Sequence, residues 1–117
     1  MFERNNSPIF SKTYDLLLWL NNHTGHFPKS ERFRLAKRIE DAAFDFYDNL
    51  LQAVGSAADL SALSRADYEL TRLRFLVRLA KDRQFSTQAQ YAHCMGMIVE
   101  IGRLLGSWIK HTHQPQS

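Results

Sequence analysis

Cysteine is almost missing from this chain. Cys94 is the only one in 117 residues, so no internal disulfide can form, and a reducing compartment, the cytoplasm, is the expected location. Proline occurs only at Pro8, Pro28 and Pro115, at the edges of helical patterns and never inside them. The longest unbroken apolar run, LLLWL at 16–20, is far short of the roughly 20 residues that cross a bilayer. The opening MFERNNSPIF lacks the basic start and apolar stretch of a signal peptide, and no membrane partner is expected. No stretch alternates apolar and polar residues with a period of two, which argues against strands. Catalytic motifs are lacking too. There is no Glu-x-x-His pair for a di-metal site, no P-loop and no dinucleotide fingerprint. His23, His26, His111 and His113 have no Cys or Asp partners at zinc spacing, and Ser107 follows a glycine without the strand-to-helix elbow of a hydrolase. No catalytic residue, metal site or cofactor is therefore expected, and Cys94 reads as a small core residue.

What remains is a composition suited to one globular domain over 1–117, with 44% apolar and 23% charged residues. Four amphipathic segments predict helices at about 8–22, 30–54, 61–83 and 87–111, with 112–117 as a frayed tail. Ser7 is the expected N-cap of the first helix, with Pro8 in its first turn and Gly25 helping to end it. Ser30 is the expected cap of the second, and Ser86 or Thr87 that of the fourth. Ala36, Ile39, Ala43, Phe46, Leu50 and Ala53 form a heptad seam on the second helix, and Leu63, Ala66, Leu70, Leu73, Val77 and Ala80 one on the third. Tyr91, Cys94, Ile98, Ile101, Leu105 and Trp108 continue the spacing on the fourth. Short connections, with GSAAD as the turn after the second helix, give an all-α, up-down-up-down four-helix bundle.

Two features exceed what such a bundle requires. At 100° per residue, small and apolar side chains on the fourth helix span an arc of roughly 220°. The extra stripe is Met97, Ile101, Leu104 and Trp108, matched on the third helix by Tyr68, Arg72, Phe75 and Leu79, with Phe75 pointing outward. Contact with a second copy is the expected use of these stripes. Gly102 and Gly106 each cost roughly 1 kcal/mol against alanine in a helix, and they fall on one flank where a helix could approach closely. The second feature is charge. Formal net charge is only +3, but ten of the fifteen cations are arginine. Lys29, Arg32, Arg34, Lys37 and Arg38 crowd the start of the second helix, against the preference of its macrodipole, while Arg74, Arg78, Lys81 and Arg83 end the third. In an up-down bundle these two ends share a pole, and the patch suits phosphate or carboxylate recognition.

The stretch LRFLVRLAKDRQFSTQAQYAHCMGMIVEIGRLLGSWIK at 73–110 resembles the C-terminal half of the accessory variability determinant proteins of diversity-generating retroelements, most specifically in EIGRLLGSWIK. FPKSERF at 27–33 is similar to the entry to the second helix in this group and in the wider four-helix-bundle family once labelled S23 ribosomal protein. The recurrent motif positions carried here are Leu73, Arg74, Leu79, Glu100, Ile101, Gly102, Arg103, Leu105, Gly106, Trp108, Ile109 and Lys110, with Ser107 where glycine is frequent. The resemblance implies a homopentamer without catalysis of its own. It further implies binding to the retroelement's reverse transcriptase and to RNA or cDNA, in support of mutagenic copying of a template. An S23-like interaction bundle without a polymerase partner is the alternative expectation.

Overall fold

A computed structural model describes residues 8–55 and 59–113. Four helices run Pro8–Thr24 (α1), Leu35–Gly55 (α2), Leu60–Asp82 (α3) and Gln88–His113 (α4), and no strand occurs among the described residues. Each helix packs against two others, α2 and α3 most extensively, followed by α3 with α4, α1 with α4, and α1 with α2. The product is a four-helix bundle measuring 53 × 24 × 22 Å.

The three heptad seams supply the interior. All six seam residues of α2 and all six of α3 are buried, as are Cys94, Ile98, Ile101 and Leu105 of α4. Tyr91 and Trp108 lie partly buried at the ends of the α4 seam. Ala36, Ala42, Ala43 and Ala53 on α2, with Ala62, Ala66 and Ala80 on α3, keep the helix surfaces low where they meet, so the axes approach closely. Phe46 and the leucines between them supply the buried area, at roughly 25 cal/mol per Å² of apolar surface. Cross-helix polar contacts fix the antiparallel register. Arg65 of α3 donates to Asn49 and Gln52 of α2, both at 2.9 Å, and Arg72 lies 3.8 Å from Asp45.

The second helix starts five residues later than the spacing predicts. Lys29–Glu31 is a single 3-10 turn whose preceding Pro28 offers no side-chain cap, and Ser30 does not cap α2. Glu31 performs that service instead. Its carboxylate is buried and accepts from the Leu35 backbone N–H at 3.4 Å, so a carboxylate faces the positive end of the helix dipole. The other departures are smaller: α1 runs on to Thr24, α3 is shifted by one residue, and α4 continues through His113, so the expected fray at 112 and 113 is helical. Ser7 and the centre of the GSAAD turn lie outside the described residues.

Thr87, not Ser86, caps α4. Its hydroxyl accepts from Gln90 N at 3.0 Å while Gln90 Oε1 accepts from Thr87 N at 2.8 Å, a reciprocal capping box. At the end of α3, Phe85 N donates to the Ala80 carbonyl and Gln84 N to that of Lys81, both at 2.9 Å, which is a Schellman closure. Gln84 holds its left-handed position with φ 66°, where a side chain other than glycine's is strained. Gln84→Gly should therefore raise stability by about 0.5–1 kcal/mol, after allowing for the greater freedom of glycine in the unfolded chain. Urea unfolding of the two proteins, with unchanged m-values, is the measurement that checks this.

Candidate functional site

The end of the bundle that holds the α1–α2 and α3–α4 connections collects the cations. Ile39 from the start of α2 and Val77 and Ala80 from the end of α3 line one small cavity with Leu20 and Phe27, so these segments lie level. Phe27 also meets Phe85 with ring centroids 5.4 Å apart, which locks the two connections together. On this frame Lys29, Arg32, Arg34, Lys37, Arg38, Arg78 and Arg83 are exposed and Lys81 is half-buried. Eight of the nine expected cations thus share the pole.

Their partners differ. Lys37 is paired to Asp41 at 2.7 Å, whereas Arg34 to Glu31 and Arg78 to Asp82 are loose, both at 3.9 Å. The pairs exposed on both sides, Lys37–Asp41 and Arg78–Asp82, contribute little and yield readily to a competing anion. Lys81 lies over the Tyr91 ring at 5.0 Å and Arg83 over Phe85 at 5.3 Å, which positions both stems without neutralising either charge. Lys29, Arg32 and Arg38 have no ion pair among the described residues.

Arg74 does not join them. Its guanidinium turns to α4 and lies over Gly102, where an added Cβ would stand 2.6 Å from Nη2 and 3.5 Å from Leu70 Cδ2. That contact accounts for Gly102 within one chain: the missing side chain leaves room for an arginine. Gly106 is different, for nothing among the described residues lies within 4 Å of where its Cβ would be.

The two stripes expected to meet a second copy also separate. On α4, Met97, Leu104 and Trp108 are partly buried against the core, and this side of the helix faces α1. Trp108 lies 6.3 Å from the Phe10 ring, and Lys12 reaches Glu100 at 3.2 Å. A helix in a four-membered bundle has two neighbours and needs more than one seam, so the extra α4 stripe does not by itself call for another subunit. Arg72 is likewise engaged within the chain, 2.7 Å from Glu69 and directed toward Asp45 of α2. Tyr68, Phe75 and Leu79 remain, exposed by 65%, 70% and 39% along the outer side of α3.

Some features escape the periodicity altogether. Phe33 stands 80% exposed between Arg32 and Arg34, a position whose only sequence signal is an aromatic between two arginines. Thr24 Oγ1 donates to Glu40 at 2.5 Å, joining the end of α1 to α2. His23 Nε2 lies 2.6 Å from Ser86 Oγ, and its ring stacks on Trp19 at 4.6 Å, joining α1 to the α3–α4 connection. Burial, then the nearby His26, holds the His23 imidazole below its usual pKa. Burial also pushes the Cys94 thiol up to about 12, which keeps it protonated. No group of three His, Cys, Asp or Glu side chains disposed to hold a metal ion occurs among the described residues. No helix among them is long and apolar enough to cross a membrane.

Comparison with known proteins places this geometry. The bundle matches the crystal structure of a protein of unknown function from the S23 ribosomal protein family of Bacteroides thetaiotaomicron VPI-5482, with TM-score 0.81 at 20% identity, covering 92% of this chain and 99% of that one. At that identity the likeness is one of fold. A family model described as bAvd-like matches residues 8–112, and the chain belongs to that family. A comparison with curated proteins yields no match.

The depressed His23 pKa has a testable consequence. Because the folded chain takes up this proton less readily than the unfolded one, the stability due to the site is complete above the unfolded value of about 6.5 and declines as pH falls below it. His23→Gln should flatten this part of the profile. Urea midpoints at about pH 7.5 and about pH 5.5 should differ less in the variant than in the parent protein.

Proposed function

We propose that this chain is a non-catalytic accessory subunit of a diversity-generating retroelement, binding the element's reverse transcriptase and its template RNA or cDNA. The observation that carries the reading is the bAvd-like match across 8–112, nearly the whole bundle. The concentration of eight cations at one pole of a chain with net charge of only +3 supports it. A phosphate backbone is drawn to local density of charge, and arginine presents a fork that binds phosphate in pairs of hydrogen bonds.

In this reading the subunit acts as a ring of copies, five by the resemblance of its motif, which multiplies the basic pole. The exposed Tyr68, Phe75 and Leu79 on α3 support such assembly. So does the open flank of α4 at Gly106, where a glycine in a helix has no partner among the described residues to justify it. The reverse transcriptase would be held by the same assembled surface, with the polymerase supplying all chemistry.

The decisive experiment is co-expression with the reverse transcriptase of a diversity-generating retroelement, taken from the element this reading assigns the chain to, followed by sizing of the complex and sequencing of its RNA. Co-elution with template RNA is expected; a bundle that assembles without polymerase or RNA would instead support the S23-like alternative. Arg38→Glu combined with Arg78→Glu should weaken RNA binding at low salt by about tenfold or more and flatten its salt dependence, with helicity unchanged. Gly106→Leu should raise the urea midpoint of the isolated chain, since a leucine is the better helix former and its Cβ meets nothing among the described residues. The same variant should shift the assembled species to smaller size in light scattering.

A further inference from the structure

Phe33 has the highest exposure among the large apolar side chains described, and its outward position is built rather than accidental. The buried Glu31 carboxylate accepts from Leu35 N at 3.4 Å, Arg34 N donates to the Glu31 carbonyl at 3.1 Å, and Arg38 N donates to the Arg34 carbonyl at 3.1 Å. Leu35 and Ala36 are buried immediately afterwards. The backbone is thereby held on both sides of the ring, leaving the ring itself in water between the exposed Arg32 and Arg34.

The surroundings select the ligand. Lys29, Arg32 and Arg38 are unpaired among the described residues, so the ring stands in a positive field. Of the other strongly exposed rings, Tyr14 and Tyr68 lie along the helix bodies, and Phe75, one turn before Arg78, belongs to the outer stripe of α3 with Tyr68 and Leu79. Phe85, which is at the pole, already packs against Phe27 and lies under Arg83.

A duplex presents phosphates but hides the faces of its bases, so it would use the cations and ignore the ring. A single strand offers both at once. We infer that Phe33 is a base-stacking platform and that the basic pole takes single-stranded nucleic acid, its phosphates meeting Lys29, Arg32 and Arg38 while an unpaired base lies on the Phe33 face. This rests on the nucleic-acid reading above and narrows it to strand state.

The test uses the full chain and two labelled RNAs of about 20 nucleotides, one single-stranded and one a duplex of the same sequence, in anisotropy titrations over a range of salt. Phe33→Ala should weaken single-strand binding by about tenfold, within the range that base stacking supplies, and leave duplex binding within about twofold. Its salt slope should not change, because slope counts phosphates and not stacked rings. Phe33→Trp should restore binding, and the emission gained over the parent protein should be quenched by the single strand. Equal weakening on both RNAs, or no weakening on either, would overturn the stacking role. Loss of reverse transcriptase capture with RNA binding intact would also overturn it, since the ring would then be a protein contact. If the parent protein binds neither RNA even at low salt, the nucleic-acid reading itself fails; if it binds both and Arg38→Glu with Arg78→Glu abolishes both while Phe33→Ala alters neither, only the stacking role fails.

Discussion

The close antiparallel packing of α2 on α3 is the constraint from which the rest of the molecule follows. Alanines along both seams bring the two helices together, and Arg65 with its partners Asn49 and Gln52 sets their register. That register decides where the charges fall. Because α2 starts beside the end of α3, two cationic segments some forty residues apart in sequence combine into one surface. A parallel arrangement would have put them at opposite ends of a rod 53 Å long.

The pole is also the most carefully joined part of the bundle. Thr24 to Glu40, His23 to Ser86 and Phe27 to Phe85 tie α1, α2 and the α3–α4 connection at one level. Buried Glu31 contributes a negative charge beneath the cations, so it both caps α2 and offsets repulsion among its exposed neighbours. These joints hold Arg32, Phe33 and Arg34 on fixed backbone rather than on a loose loop. A rigid display reduces the ordering cost when a ligand arrives.

Much of this was legible in the spacing of apolar residues. Every residue of the α2 and α3 heptads is buried, but Leu35 and Ala42 on α2 and Ala62 and Leu76 on α3 are buried as well and stand outside those seams, because a bundle helix meets two neighbours and a single seam describes one of them. The polar cap misled for a local reason: Ser30 has the right chemistry, but Pro28 and a 3-10 turn shift the helix start, and the carboxylate of Glu31 arrives from within the turn. The α4 stripe has a use within the chain that periodicity alone does not reveal. Periodicity says that Met97, Leu104 and Trp108 share a side, but not that α1 already lies there. Gly102 and Gly106 carry the same letter four residues apart and do different things, one under an arginine and one facing open space; only the neighbouring helix distinguishes them. Phe33 lay outside every periodic pattern, so its exposure required the turn geometry.

The solitary interior thiol makes the outside of the molecule blank to maleimide chemistry. With Cys94 enclosed in the core and held protonated, a cysteine introduced on any exposed helix position is the one reactive handle on the folded chain. A fluorophore attached there reports distances between copies, or between this subunit and a bound partner, without first removing a native residue. Conversely, slow labelling of Cys94 itself records how often the interior opens, so the same atom serves as a clock for the breathing of the bundle.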